Sequence, residues 1–304
     1  MSIKVITWSS VHRKDLLIVS LVIALLISSA LLFVYVFMMD SDRSTPLDNV
    51  NSVMNEKELR NVINNVPVGE SATITIGKDV ALTGFALYIP ANKNITLTSN
   101  NTPEFYKLIG MDSRSTLIVE DGGILRLDGV VVTHAVDDFG WGVQVRSGGT
   151  FVMYSGEISG NTGSISRISG GVRIDNGGSF VMFGGVISNN IADYGGGVYN
   201  NGVFEFFGGV ISNNISNFNG GGVYNEVSCS FTMSGGTISN NTSEAPGGGV
   251  YNRGSFTMSG GTISNNTTNK GYGGGVYNNG NFSRTGGDVF GNTAIANENV
   301  YDTF

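Results

Sequence analysis

A unit that recurs every 25 to 29 residues limits what this chain can fold into more than any other feature. It is clearest in GGGVYNRGSFTMSGGTISNNT, residues 247–267, and GGGVYNNGNFSRTGGDVFGNT, residues 273–293. Val143, Val172, Val198, Val223, Val250 and Val276 mark six copies. Such a unit is too short for two full helices and too rich in glycine for one, so it suits one turn of a β-solenoid.

Within the unit, some distances are fixed and others drift. Phe151, Phe180, Phe204, Phe231, Phe256 and Phe282 each stand seven residues before an aliphatic: Ile158, Ile187, Ile211, Ile238, Ile263 and Val289. Three residues further on comes an asparagine, at Asn161, Asn190, Asn214, Asn241, Asn266 and Asn292. The distances from valine to phenylalanine, and from asparagine to the next valine, vary. Strands of successive coils must keep register, whereas a loop leaving the coil is free to change length. The pattern therefore predicts a parallel β-helix with three short strands per coil, GGVYN, F-x-M and T-I-S, joined at Gly-Gly and Asn-Asn corners. Alternation places Met153, Met182, Phe206, Met233 and Met258 inside with the phenylalanines. Arg284 replaces them in the last copy, a charge acceptable only where the stack ends. Stacked corner asparagines are expected to form an amide ladder.

Upstream, residues 72–76, 85–89, 95–97, 116–119 and 124–127 read as strands of less regular coils. Asn55 and Glu58 have capping-box spacing and open a short helix through Leu59, Val62 and Ile63, placed to cover the open end of the solenoid. Residues 16–38 carry no charge over 23 positions, long enough to span a bilayer. Lys4, Arg13 and Lys14 precede them, so the positive-inside bias keeps the N-terminus cytoplasmic and puts the rest of the chain outside. A cleaved signal peptide is the rival reading, but signal cores are usually shorter, ~7–15 residues. The expected organisation is a cytoplasmic N-terminus over residues 1–15 and a transmembrane anchor over 16–38. A stalk follows over 39–54, then a capping helix over 55–66 and the β-helix over 67–304, regular from about residue 140.

Composition narrows the function. The net charge is -7 and charged residues make up 13% of the chain, so there is no basic footprint for nucleic acid. The single cysteine, Cys229, rules out an intrachain disulfide, and two histidines are too few for a histidine-based metal cluster. The sequence carries no cofactor motif and no metal-ligand spacing.

The repeated GGGVY and the ending VFGNTA, residues 289–294, resemble the GG-x-x and F-x-x-N type repeats of polymorphic membrane protein adhesins. Most coils carry ISNN where that family has phenylalanine. Residues 58–132, with ELRNVINNVP, ITIGKDVALTG, NITLTSNN and LIVEDGGILRLDGVVVTH, look like the opening of a pectate-lyase-like adhesive domain. Together these likenesses cover about 240 residues and imply a right-handed, single-stranded, pectin-lyase-like all-β solenoid on a cell surface.

Three classes of function follow. Polysaccharide lyases and glycoside hydrolases share this solenoid and need clustered or paired carboxylates. The catalytic candidates are Asp137 and Asp138 in HAVDD, residues 134–138, with Arg146, Arg173 and Asp175 on the following coils, acting on an acidic polysaccharide. On an extended strand adjacent aspartates point to opposite faces, so this dipeptide alone does not make a carboxylate pair. The favoured class is a binding surface for a glycan or a surface protein. The residue after each valine faces outward, and in four consecutive coils it is Tyr199, Tyr224, Tyr251 and Tyr277. Trp141, Tyr194 and Tyr272 lie in the neighbouring loops. Aromatic faces beside polar loops suit sugar rings, while the alternative is that the tyrosines only stiffen the sheet by stacking on one another. A purely structural envelope protein is the third reading.

Overall fold

The computed structural model describes residues 50–99, 104–111, 115–135, 138–163 and 169–303. The anchor expected over residues 16–38 lies outside these. Among the described residues, no helix is long and apolar enough to cross a membrane. The chain winds into a parallel β-solenoid of the right-handed type with about nine turns.

Three long sheets run the length of the solenoid, every strand paired in parallel with its equivalent in the coils on either side. A ten-stranded sheet holds the phenylalanines, and two nine-stranded sheets hold the anchoring valines and the isoleucines. Register is set by the repeat itself: Val198 faces Val223 and Val250 follows, Phe204 faces Phe231, and Ile211 faces Ile238. A one-residue slip would turn every one of these side chains out of the core. All six repeat valines, the first five repeat phenylalanines and the first five repeat isoleucines are fully buried. The rings from Phe151 to Phe282 form one continuous stack with centroids 4.5–4.9 Å apart.

The coil has one strand more than the spacing indicated. In four consecutive coils a two-residue strand follows the Asn-Asn corner: Ile191–Ala192, Ile215–Ser216, Thr242–Ser243 and Thr267–Thr268. This stretch reads as a loop because its length varies, yet the variation begins only after these two residues. At the corner itself the two asparagines divide the work. The first, Asn189, Asn213, Asn240 or Asn265, adopts a left-handed backbone at φ 55–56° and is exposed. Asparagine tolerates that conformation better than other side chains. The second turns inward and is completely buried in each of these coils. The glycine immediately before each repeat valine is required by close approach: a Cβ on Gly222 would lie 2.6 Å from the Gly249 carbonyl oxygen and 2.9 Å from Ile238 Cγ2.

Toward the N-terminus, the strand Val50–Val53 begins the phenylalanine sheet, and the helix Glu56–Asn65 follows. Asn55 caps it, its Oδ1 accepting from the Glu58 amide at 2.9 Å, while the Glu58 carboxylate accepts from the Met54 amide. Leu59 and Ile63 on its inner face join the core. At the other end Arg284 is exposed, but its coil is not the last: Val300–Asp302 adds a further strand to the valine sheet.

Candidate functional site

Two internal ladders hold the coils to one another. In the first, the side-chain amide of Asn161 donates to Asn190 Oδ1 at 2.8 Å, and the pattern repeats through Asn214, Asn241, Asn266 and Asn292. Each amide gives its second hydrogen to a carbonyl of the preceding coil, as Asn214 does to Ile187. His134 stands at the head of this ladder. It is buried, with Nδ1 2.9 Å from Asn161 Oδ1. Since that oxygen can only accept, Nδ1 carries the proton. Asn299 accepts from Asn292 at the foot. The second ladder runs Asn200, Asn225, Asn252, Asn278 and Asp302, with donor–acceptor distances of 2.6–3.0 Å. Sequence reasoning missed it, although asparagine stands two residues after the valine in four consecutive copies.

The outer face of the valine sheet carries the candidate binding residues. Register aligns Tyr88, Ile118, Gln144, Arg173, Tyr199, Tyr224, Tyr251, Tyr277 and Tyr301 in one column. The tyrosines from Tyr199 to Tyr301 stack with centroids 5.0–5.3 Å apart and planes within 17° of parallel. Tyr301 extends the column beyond the four predicted members, and the VYD sequence around it was the available signal. Tyr224 is only 5% exposed because Tyr194 packs edge-on against it at 5.4 Å. Tyr199, Tyr251, Tyr277 and Tyr301 are half-buried. Tyr194 stacks on the exposed Phe218, and exposed Tyr272 on Tyr301.

This stacking changes what the column offers. The ring faces lie against one another, so the expectation of aromatic faces open to sugar rings is corrected: the column presents ring edges and hydroxyls. Tyr199 donates to Glu226 at 3.1 Å, and Tyr224 accepts from Arg253, which is ion-paired to Glu226 at 2.8 Å. Burial, reinforced by the Glu226 charge, raises the Tyr199 phenol far above its ordinary value. Burial likewise pushes Tyr224 up to about 12. The hydroxyls of Tyr251, Tyr277 and Tyr301 have no hydrogen-bond partner among the described residues. Exposed Arg253, Asn279 and Thr303 follow directly on the strands Val250–Asn252, Val276–Asn278 and Val300–Asp302 that carry them.

Among the described residues, the catalytic candidates make separate pairings. Asp137 lies outside the described residues, and the Asp138 carboxylate accepts from the Phe139 amide at 3.1 Å. Asp175 is held by Arg173 at 2.7 Å and Gln144 at 2.6 Å, and Arg146 pairs with Glu120 at 2.8 Å. Trp141 is half-buried under the Arg173 guanidinium, 4.6 Å from its ring centroid, with its indole N–H buried and unpaired among the described residues. No three acidic, histidine or cysteine side chains gather into a metal-binding group among the described residues. Cys229 is buried, and burial raises its thiol.

No family model, curated protein or solved structure matches this chain. Six asparagines in Asn-x-Ser/Thr glycosylation sequons divide by exposure: Asn214, Asn241 and Asn266 are fully buried in the ladder, whereas Asn240, Asn265 and Asn281 are exposed.

Proposed function

We propose that this chain is a membrane-anchored, adhesin-like surface protein whose valine-sheet face binds a glycan or a surface protein. Residues 16–38 form its single-pass anchor, the helix Glu56–Asn65 covers the first coil, and the β-helix stands outside the cell. The observation that carries the binding role is the tyrosine column: three neighbouring hydroxyls without hydrogen-bond partners among the described residues, set beside exposed Arg253, Asn279 and Thr303. A half-buried row of amphipathic side chains, rigid because each ring is held by the next, offers contact at little cost in conformational entropy. The resemblance to pectate-lyase-like adhesive domains and polymorphic membrane protein repeats supports the same role.

The test is retention of the full chain, in detergent, on immobilised polysaccharides and on whole-cell surfaces, with released sugar products followed in the same wells. Retention without product supports the binding role. Release of unsaturated or reducing-end products, abolished by Asp137→Ala or Asp138→Ala, would replace it with a polysaccharide-cleaving enzyme. Absence of retention on every surface would leave a structural envelope role.

A further inference from the structure

We infer that the ligand of the tyrosine column is a neutral, extended β-1,4-linked polysaccharide, laid parallel to the solenoid axis and held by its hydroxyl edge; this rests on the binding role proposed above. The argument begins with what the column cannot do. Tyr224, Tyr251, Tyr277 and Tyr301 cover one another's faces at 5.0–5.2 Å, so a ligand that binds by lying flat on an aromatic ring finds none free within the row. What remains outward is a line of phenol hydroxyls, each able both to donate and to accept. Those of Tyr251, Tyr277 and Tyr301 make no hydrogen bond among the described residues, and they repeat once per coil.

A ligand that meets every hydroxyl must repeat at the same interval. An extended peptide advances ~3.4 Å per residue and falls out of step with the 5.0 and 5.2 Å ring spacings after one coil. A β-1,4-linked chain of pyranoses is different, because its equatorial linkages keep it straight and each sugar advances it by about one ring length, while hydroxyls line both edges. Chains joined β-1,3 or α-1,4 curve away from a straight row. The second line of polar groups, Arg253, Asn279 and Thr303, lies alongside to meet the ribbon's other hydroxyls. Charge favours a neutral polymer: Arg253 is already ion-paired to Glu226 at 2.8 Å, and the exposed Glu298 just before the last strand adds negative charge unfavourable to uronates.

Binding of the full chain in detergent to defined oligosaccharides tests this by calorimetry. Affinity is expected to rise from cellobiose to cellopentaose, and cellohexaose or chitohexaose should bind at least about tenfold tighter than laminarihexaose or maltohexaose. Replacing Tyr251→Phe, Tyr277→Phe and Tyr301→Phe together keeps the ring stack and removes only the hydroxyls. It is expected to weaken cellohexaose binding about tenfold or more with an unchanged unfolding midpoint. Equal binding of all linkages, or full binding by the triple variant, would overturn the inference while leaving a glycan-binding protein. Failure of every glycan, with retention on cell surfaces lost after protease treatment of those cells, would overturn the inference and assign the face to a protein partner.

Discussion

Replacing Asn241 by alanine removes one rung from the middle of the first ladder. Its side chain accepts from the Asn214 amide at 3.0 Å and from Asn214 Nδ2 at 2.9 Å, and it donates to Asn266 Oδ1 and the Ile211 carbonyl, both at 2.9 Å. Asn266 Oδ1 keeps a partner, because the Asn241 backbone amide also donates to it. Two polar groups are then orphaned at a site with no solvent exposure, the Asn214 amide and one Asn214 side-chain hydrogen, while the Ile211 carbonyl loses its side-chain donor and keeps its place in the sheet. A buried unsatisfied group costs ~1–3 kcal/mol, and allowing for relaxation and water entry the variant should lose about 3–5 kcal/mol. The control is Asn240→Gly one residue earlier, where the side chain is exposed and φ is 56°, so glycine should be close to neutral. Coils of a solenoid can open separately, so urea unfolding should be paired with amide exchange read at Asn214. If Asn241→Ala lies within about 1 kcal/mol of the control, or if the Asn214 amide keeps its protection, the ladder does not bind the coils together as argued.

Three further outcomes are expected. Glu205 faces outward from the phenylalanine sheet yet is only 6% exposed, and burial pushes its carboxyl up to about 7. A raised acid favours the protonated fold, so its contribution is complete below the ordinary carboxylate value and is lost as pH rises through about 7; Glu205→Gln should flatten that part of a stability–pH profile. Gly222→Ala would force a Cβ to 2.6 Å from the Gly249 oxygen, and the melting temperature should fall by several degrees, against little change for Gly69→Asn, where a Cβ meets nothing within 4 Å and asparagine tolerates the positive φ. Produced in a cell that glycosylates sequons, the chain should carry glycan at Asn240, Asn265 or Asn281 and none at Asn214, Asn241 or Asn266, as peptide mass mapping would show.

The stack was legible in the sequence because its strands recur at fixed intervals. Phenylalanine, isoleucine and asparagine keep their spacing since each must meet its own kind one coil away, and pairs such as Phe204 with Phe231 follow from that alone. The fourth strand was hidden because Ile191, Ile215, Thr242 and Thr267 share a position and a shape but not a residue type. The tyrosine column was legible as a row. Its use of its own ring faces was not, since that depends on planes turned nearly parallel at 5.0–5.3 Å, which no spacing along the chain encodes. His134 drew notice as part of a possible catalytic cluster; its place at the head of the asparagine ladder emerges only once the coil Val131–His134 is set against Glu157–Ser159.

The asparagine ladder has a direction and two unlike ends, with His134 giving at one and Asn299 receiving at the other. Every rung between them takes in the same bonds it hands on. Excising a whole turn, or duplicating one, would rejoin matching partners and leave both termini as they were, whereas altering one rung strands its neighbours. The length of this rod is thus free to drift by whole turns over evolutionary time, while the content of a single turn is held nearly constant. A chain built this way can lengthen its outer face without inventing any new contact.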